Sequence, residues 1–216
     1  MNTKRTLLGI YHKLYAFYGP QHWWPGDTPF EVAVGAILTQ NTNWSNVEKA
    51  VGNLKKAGVL NAKALHLLPH EQLASLIRPA GYFNVKAKRL KYFLDFLLHY
   101  YSGSMKKAGK KDTLALRQEL LNVNGIGPET ADSILLYALD KPVFVIDAYT
   151  KRVLSRHGIM QAGAGYDEYQ DLFHQALDQE AQLFNEYHAL IVMTGKDYCK
   201  PKPRCKECPL EAPTLK

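Results

Sequence analysis

Apolar residues recur along this chain at three- and four-residue spacing almost from end to end, the period of helices that bury one face. Residues 3–18 place Leu7, Leu8, Tyr11, Leu14, Tyr15 and Tyr18 on one stripe, and Gly19-Pro20 ends it. After a loop marked by Pro25, Gly26 and Pro29, the run from Phe30 to Leu38 is apolar almost throughout, which predicts a buried central helix. Asn43 to Ala57 is amphipathic through Val47, Val51 and Leu54, with Gly58 placed as a C-cap. Further helices are predicted near 61–67, 70–77, 84–101, 113–121, 128–139, 148–157, 167–178 and 180–194. Val143 to Ile146 is the one candidate strand, and the basic, glycine-bearing stretch 102–111 reads as an excursion between two helical lobes. The fold class is therefore all-α.

Composition narrows the function classes. The 216 residues, 46% hydrophobic and 22% charged, suffice for one large domain or two small ones around a packed core. No apolar run approaches the roughly 20 residues of a bilayer span, so no membrane association is expected, and without a secretion signal the cytoplasm is the expected location. Lys and Arg number 27 against 20 Asp and Glu, a net charge of +7 that suits a polyanionic partner. The three cysteines, Cys199, Cys205 and Cys208, crowd the C-terminal end, a spacing that points to metal rather than to disulfides.

Two segments carry candidate chemistry. Gly125-Ile126-Gly127 places two glycines astride one apolar residue, between a helix ending near Leu121 and another opened by Pro128. Such a turn anchors Ile126 inward and leaves backbone N–H groups at the next helix start, where a phosphate can be received. An ordinary helical hairpin without a ligand fits the same glycines. Further on, the run Val143 to Ile146 ends in Asp147 at a helix start. Asp147 reads as an N-cap or, alternatively, as a carboxylate held ionised by those amides to face a developing positive charge.

Together, Gly125-Ile-Gly-Pro-Glu-Thr-Ala131 and Val145-Ile-Asp147-Ala-Tyr-Thr-Lys-Arg-Val153 resemble the helix-hairpin-helix and Gly/Pro-Asp signature of the endonuclease III superfamily of DNA glycosylases. Ile37-Leu-Thr-Gln-Asn-Thr42, the segment Ile77 to Leu90 and the terminal cysteines recur in the same order, so the resemblance spans nearly the whole chain. It implies a two-lobed glycosylase fold in which 1–25 and 112–216 form one lobe, 26–111 the central lobe, 114–139 the helix-hairpin-helix and 199–208 a cysteine loop. It also implies a cleft between lobes that takes a nucleotide flipped out of double-stranded DNA containing a damaged base. A monomer associated with the nucleoid is expected.

The resemblance assigns catalysis to Asp147. Bifunctional members carry a lysine at the position of Glu129, and a carboxylate cannot form the imine of a lyase, so the monofunctional branch is the one resembled. His22-Trp-Trp-Pro-Gly26 and Trp44 look like the 3-methyladenine DNA glycosylase III branch, which implies a base pocket of Trp23, Trp24, Pro25 and Trp44 for electron-poor alkylated purines. Tryptophans beside proline also fill ordinary core seams, and Leu190 stands where that branch has a pocket lysine. Gln40 and Asn41 take the place of the polar wedge that fills the gap left by the flipped nucleotide, or else cap the helix from Trp44. DNA contacts are implied for Gly125, Ile126, Gly127, Thr130, Lys86, Lys88, Arg89, Lys151, Lys202 and Arg204, with Lys91 and Arg152 adding to one basic stripe.

Cys199, Cys205 and Cys208 look like the iron-sulfur loop of the superfamily, with the first gap shortened and Thr214 at the place of the fourth cysteine. This implies an incompletely ligated [4Fe-4S] cluster, with zinc on three thiolates and His188, or no metal, as alternatives. A monovalent cation at the hairpin is also implied. The main functional reading is a monofunctional glycosylase for alkylated purines such as 3-methyladenine. An endonuclease III-like glycosylase and lyase acting on oxidised pyrimidines, and a non-catalytic helix-hairpin-helix DNA-binding module, are the alternatives.

Overall fold

In the computed structural model of the protein, residues 3–211 are described, and helices are the only regular elements among them. They are α1 (Thr3–Tyr18), α2 (Pro29–Leu38), α3 (Trp44–Lys56), α4 (Ala62–Leu67), α5 (His70–Leu76), α6 (Phe83–Tyr101), α7 (Met105–Ala108), α8 (Thr113–Leu121), α9 (Pro128–Ser133), α10 (Ala148–Arg156), α11 (Tyr166–Ala176) and α12 (Ala181–Asp197). Short 3-10 turns cover Arg78–Ala80 and Cys205–Glu207, and α9 runs on into a widened π turn over Ile134–Ala138. The chain divides into two compact units, one of residues 24–140 and one of the chain up to Trp23 and from Lys141 onward.

The 24–140 unit is built around α2. Thr28 accepts the Glu31 N–H at 3.1 Å, Pro29 opens the helix, and every residue from Glu31 to Leu38 is buried, as the unbroken apolar run predicts. Contacts to α3, α6, α7, α9 and the π turn surround it. Polar side chains cap the next helices: Asn43 accepts from Asn46, Asn61 from Ala64 and Asp112 from Ala115. Beyond α3, Val59 N–H reaches back to Leu54 O at 3.1 Å, which closes the helix at Gly58. The stretch 102–111 is no excursion between lobes. Met105 and Ala108 of α7 are buried within the same unit, against α6 and α2. The hairpin helices α8 and α9, grouped from the sequence with the termini, make their contacts with one another, α2 and the π turn.

In the other unit α1, α10 and α11 pack with α12 or with one another, and Tyr187 of α12 donates its hydroxyl proton to Leu7 O at 2.7 Å. Residue 195 must be glycine here, because a Cβ would lie 2.4 Å from the Tyr149 ring and force α10 and α12 apart. Val143 to Ile146 is not a strand. It crosses this core as buried chain without regular structure, with the Phe144 ring stacked on Phe173 at 3.6 Å.

Candidate active site

The hairpin turn 122–127 follows from its glycines and from one buried anchor. Val123 and Ile126 are buried, and Ile126 N–H bonds Val123 O at 3.0 Å. Gly125 has φ +86°, and a Cβ on it would fall 2.4 Å from Arg89 Cγ, so no other residue fits without moving that arginine. The angle between α8 and α9 is held by a bidentate pair, Arg117 Nε to Asp132 Oδ1 at 2.7 Å and Nη2 to Oδ2 at 3.1 Å, with Asp132 fully buried. Gly127 is the N-cap of α9 and offers no capping side chain, while Glu129 lies exposed in the first turn. The carbonyls of Val123, Gly125 and Gly127, groups of the kind that bind a monovalent cation, each already accept a hydrogen bond.

Gln40 ties the turn after α2 to this hairpin. Its Nε2 donates to Gly125 O at 3.1 Å and to Thr130 Oγ1 at 2.9 Å, and its Oε1 accepts from Arg89. Gln40, Thr130 and Arg89 therefore brace one another, and the Thr130 side chain is buried rather than turned to solvent. Asn41 is exposed at φ +53°, a left-handed conformation that asparagine tolerates better than most residues.

Asp147 is positioned by side chains distant in sequence. The irregular segment before it has no neighbouring strand among the described residues, and α11 supplies the missing partners from residues four apart on one face. Phe144 N–H donates to His174 Nε2 at 2.9 Å, Gln170 Nε2 donates to Phe144 O at 2.7 Å, and Ile146 N–H donates to the Tyr166 hydroxyl at 3.3 Å. As the acceptor is Nε2, the His174 ring carries its proton on Nδ1. Asp147 then caps α10, taking Thr150 N–H on Oδ1 at 2.7 Å. His188 Nε2 stands 3.8 Å from the same oxygen, an ion-pair distance, and the Asp147 side chain is 13% exposed. Burial alone raises this carboxyl group, but His188 and the Thr150 amide outweigh it and hold Asp147 below the usual carboxylate range.

The expected base-pocket residues fall in both units. In one, Trp24 meets Trp44 edge-on at 5.1 Å and Tyr137 at 5.0 Å, the last carried by the π turn, with Pro25 exposed beside them. The loop bearing Trp24 and Pro25 is fastened by Asp27 and Glu31, both ion-paired to Lys55 at 2.8 and 2.7 Å. In the other unit, the Trp23 ring meets His188 edge-on at 6.5 Å and lies 5.4 Å from Lys196 Nζ. Tyr137 went unnoticed because one aromatic on an apolar helix face looks like any core residue, and His188 was considered only as an alternative zinc ligand.

Several cations of the expected basic stripe are spent inside the fold. Lys86 is 1% exposed, donates to Leu38 O at 2.8 Å and Ala80 O at 2.7 Å, and is pulled down to about 8 by burial and by Arg89. Lys91 donates to the carbonyls of Leu65, His66 and Leu68. Lys151 lies over the Tyr169 ring at 5.4 Å, and Arg152 donates to Cys199 O and Gly195 O. Arg204 pairs with Glu207, whereas Lys88 and Lys202 are exposed.

The cysteine loop is pinned by α10. One turn beyond Arg152, Arg156 donates to Cys199 Sγ at 3.4 Å, Lys200 O at 2.6 Å and Pro201 O at 3.1 Å. Cys199 and Cys208 are buried and Cys205 is exposed, and burial pushes the Cys208 thiol up. A [4Fe-4S] cluster takes four thiolates. This chain has three, Thr214 lies outside the described residues, and among the described residues no three metal-binding side chains converge. The residues present do not fit a fully ligated cluster. Nor does His188 join the thiols as a zinc ligand, since it stands beside Asp147.

Among the described residues no helix is long and apolar enough to cross a membrane. The HhH-GPD superfamily of base excision DNA repair proteins matches residues 34–179. A candidate DNA repair glycosylase of Methanocaldococcus jannaschii is 50% identical over 211 residues, covering 97% of this chain and 96% of that protein. The structure of the H. pylori 3-methyladenine DNA glycosylase MagIII bound to 1,N6-ethenoadenine is similar with a TM-score of 0.78 at 32% identity, over 91% of this chain and 98% of that one. A trapped endonuclease III–DNA covalent intermediate shares the fold at a TM-score of 0.83 and 22% identity, over 97% and 94%.

Proposed function

As this chain belongs to the HhH-GPD superfamily of base excision DNA repair proteins and is a DNA glycosylase, we propose that it hydrolyses the N-glycosidic bond of alkylated purines, 3-methyladenine among them, in double-stranded DNA, without a lyase step. The observation that carries this reading is Asp147, a carboxylate kept ionised at the start of α10, in a chain with glutamate at position 129. An alkylated purine already bears positive charge and leaves as a neutral base once the C1′–N bond breaks. The positive charge then rests on the sugar, where an ionised carboxylate stabilises it, and water adds to C1′ while a proton is released. Glu129 offers no amine, so no imine forms and the strand stays intact.

The similarity to the H. pylori enzyme supports alkylated adenines as substrates. Trp24, Trp44 and Tyr137 supply aromatic faces and edges for a cationic base. Asn41, exposed and unencumbered by the hairpin bonds that occupy Gln40, is the better wedge of the two. Duplexes carrying 3-methyladenine, 7-methylguanine or thymine glycol test the proposal. Release of the methylated purines with no borohydride-trapped adduct is expected; release of thymine glycol with a trapped adduct would overturn it in favour of an endonuclease III-like lyase.

A further inference from the structure

Resting on the assignment of Asp147 to catalysis, we propose that His188 is a positioning residue for the reaction, holding the Asp147 carboxylate by Oδ1 so that Oδ2 is the oxygen turned to the sugar. Two contacts of the carboxylate meet on Oδ1. Thr150 N–H donates to Oδ1 at 2.7 Å, and His188 Nε2 stands 3.8 Å from that same oxygen. The imidazole has little freedom to leave. It is buried on α12 within the run Tyr187 to Val192, and its ring is met by the edges of Trp23 at 6.5 Å and Phe144 at 6.2 Å. Phe144 is itself fixed through its backbone by Gln170 and His174. A histidine in such surroundings costs desolvation that a leucine would not, and the adjacent carboxylate offsets that cost.

The charged group that meets His188 is Asp147, from the start of α10, and Lys196 of its own helix lies over the Trp23 ring that flanks it. The pair with Asp147 is the interaction to test. Its depressed carboxyl pKa agrees with the geometry.

The experiment follows the Asp147 carboxyl carbon by 13C NMR as a function of pH in the full chain without DNA, with Asp147→Asn identifying the signal. In the unsubstituted protein the midpoint is expected below the ordinary aspartate value, and in His188→Gln it rises by about one pH unit. Single-turnover release of 3-methyladenine by His188→Gln is expected to slow about tenfold with DNA affinity unchanged. An unchanged midpoint in His188→Gln overturns the proposal. So does an Asp147 midpoint in the unsubstituted protein at or above the ordinary value, a result that stands even if His188→Gln does not fold. Should the titration behave as expected while Asp147→Asn still releases the base at full rate, the assignment of Asp147 to catalysis fails and the His188–Asp147 pair survives.

Discussion

α9 begins at Gly127, which has no side chain to offer its first amides, whereas α10 begins at Asp147, whose own carboxylate takes the Thr150 N–H. The first kind of helix start presents donors to an outside anion, and the second brings its own anion and holds it charged. Their supports differ in the same sense. The hairpin is braced by Arg117, Gln40 and Arg89 from its own compact unit, through a buried ion pair and hydrogen bonds to the turn. The Asp147 segment is instead held by polar side chains of α11 and by His188 of α12, where a β-structure would use a neighbouring strand. A backbone turn for binding phosphate can be written in a few consecutive residues; a charged carboxylate in a part-buried place needs partners gathered from afar.

The contrast can be broken from either side. The largest effect is expected at the hairpin brace, where Arg117→Ala strands a buried carboxylate at a cost of roughly 3–5 kcal/mol. Thermal melting should show a Tm lower by about 10 °C. Asp147→Asn comes next. Asparagine caps a helix as well as aspartate does, so Tm is expected to hold while single-turnover base release falls by about 10²–10³-fold. Full base release by this variant would mean that Asp147 serves mainly as a cap. Gly125→Ala places a Cβ against Arg89 at positive φ and should cost about 2 kcal/mol in urea unfolding, with weaker duplex binding measured by fluorescence anisotropy. Gln170→Leu removes the donor to Phe144 O and is expected to cost about 1–2 kcal/mol, with slower base release although the side chain is buried.

The smallest effect is that of pH. The folded pKa of Asp147 lies below its unfolded value of 3.8, so its contribution to stability is complete above that value and is lost as pH falls through the folded pKa. Base release should accordingly stay flat through mildly acid pH, with an acid limb below about 4 in a pH–rate profile.

Much of the fold was legible in the residues. The order and approximate limits of the helices follow from apolar periodicity and from Gly19-Pro20, Gly58 and Pro128 at helix ends and starts, because each of these signals acts over one or two turns. The hairpin was legible for the same reason. Val143 to Ile146 stands as a candidate strand in the sequence because its apolar, β-branched composition records burial but not what satisfies its backbone. Lys86 was misread as a surface cation because nothing in its neighbours reveals the two carbonyls, Leu38 and Ala80, that surround its ammonium group.

By itself, then, the sequence determined the helical architecture, the glycine turn of the hairpin, the carboxylate at position 147 and the absence of a lysine at 129. All of these are local, set by backbone freedom, periodicity and the chemistry of a single side chain. Only the tertiary structure decided that Asp147 faces His188, that α11 lends three side chains to the segment before it, and that Arg152 and Arg156 hold the loop that carries the three cysteines. Those contacts join residues tens of positions apart, and packing, rather than spacing along the chain, brings such groups within reach of one another.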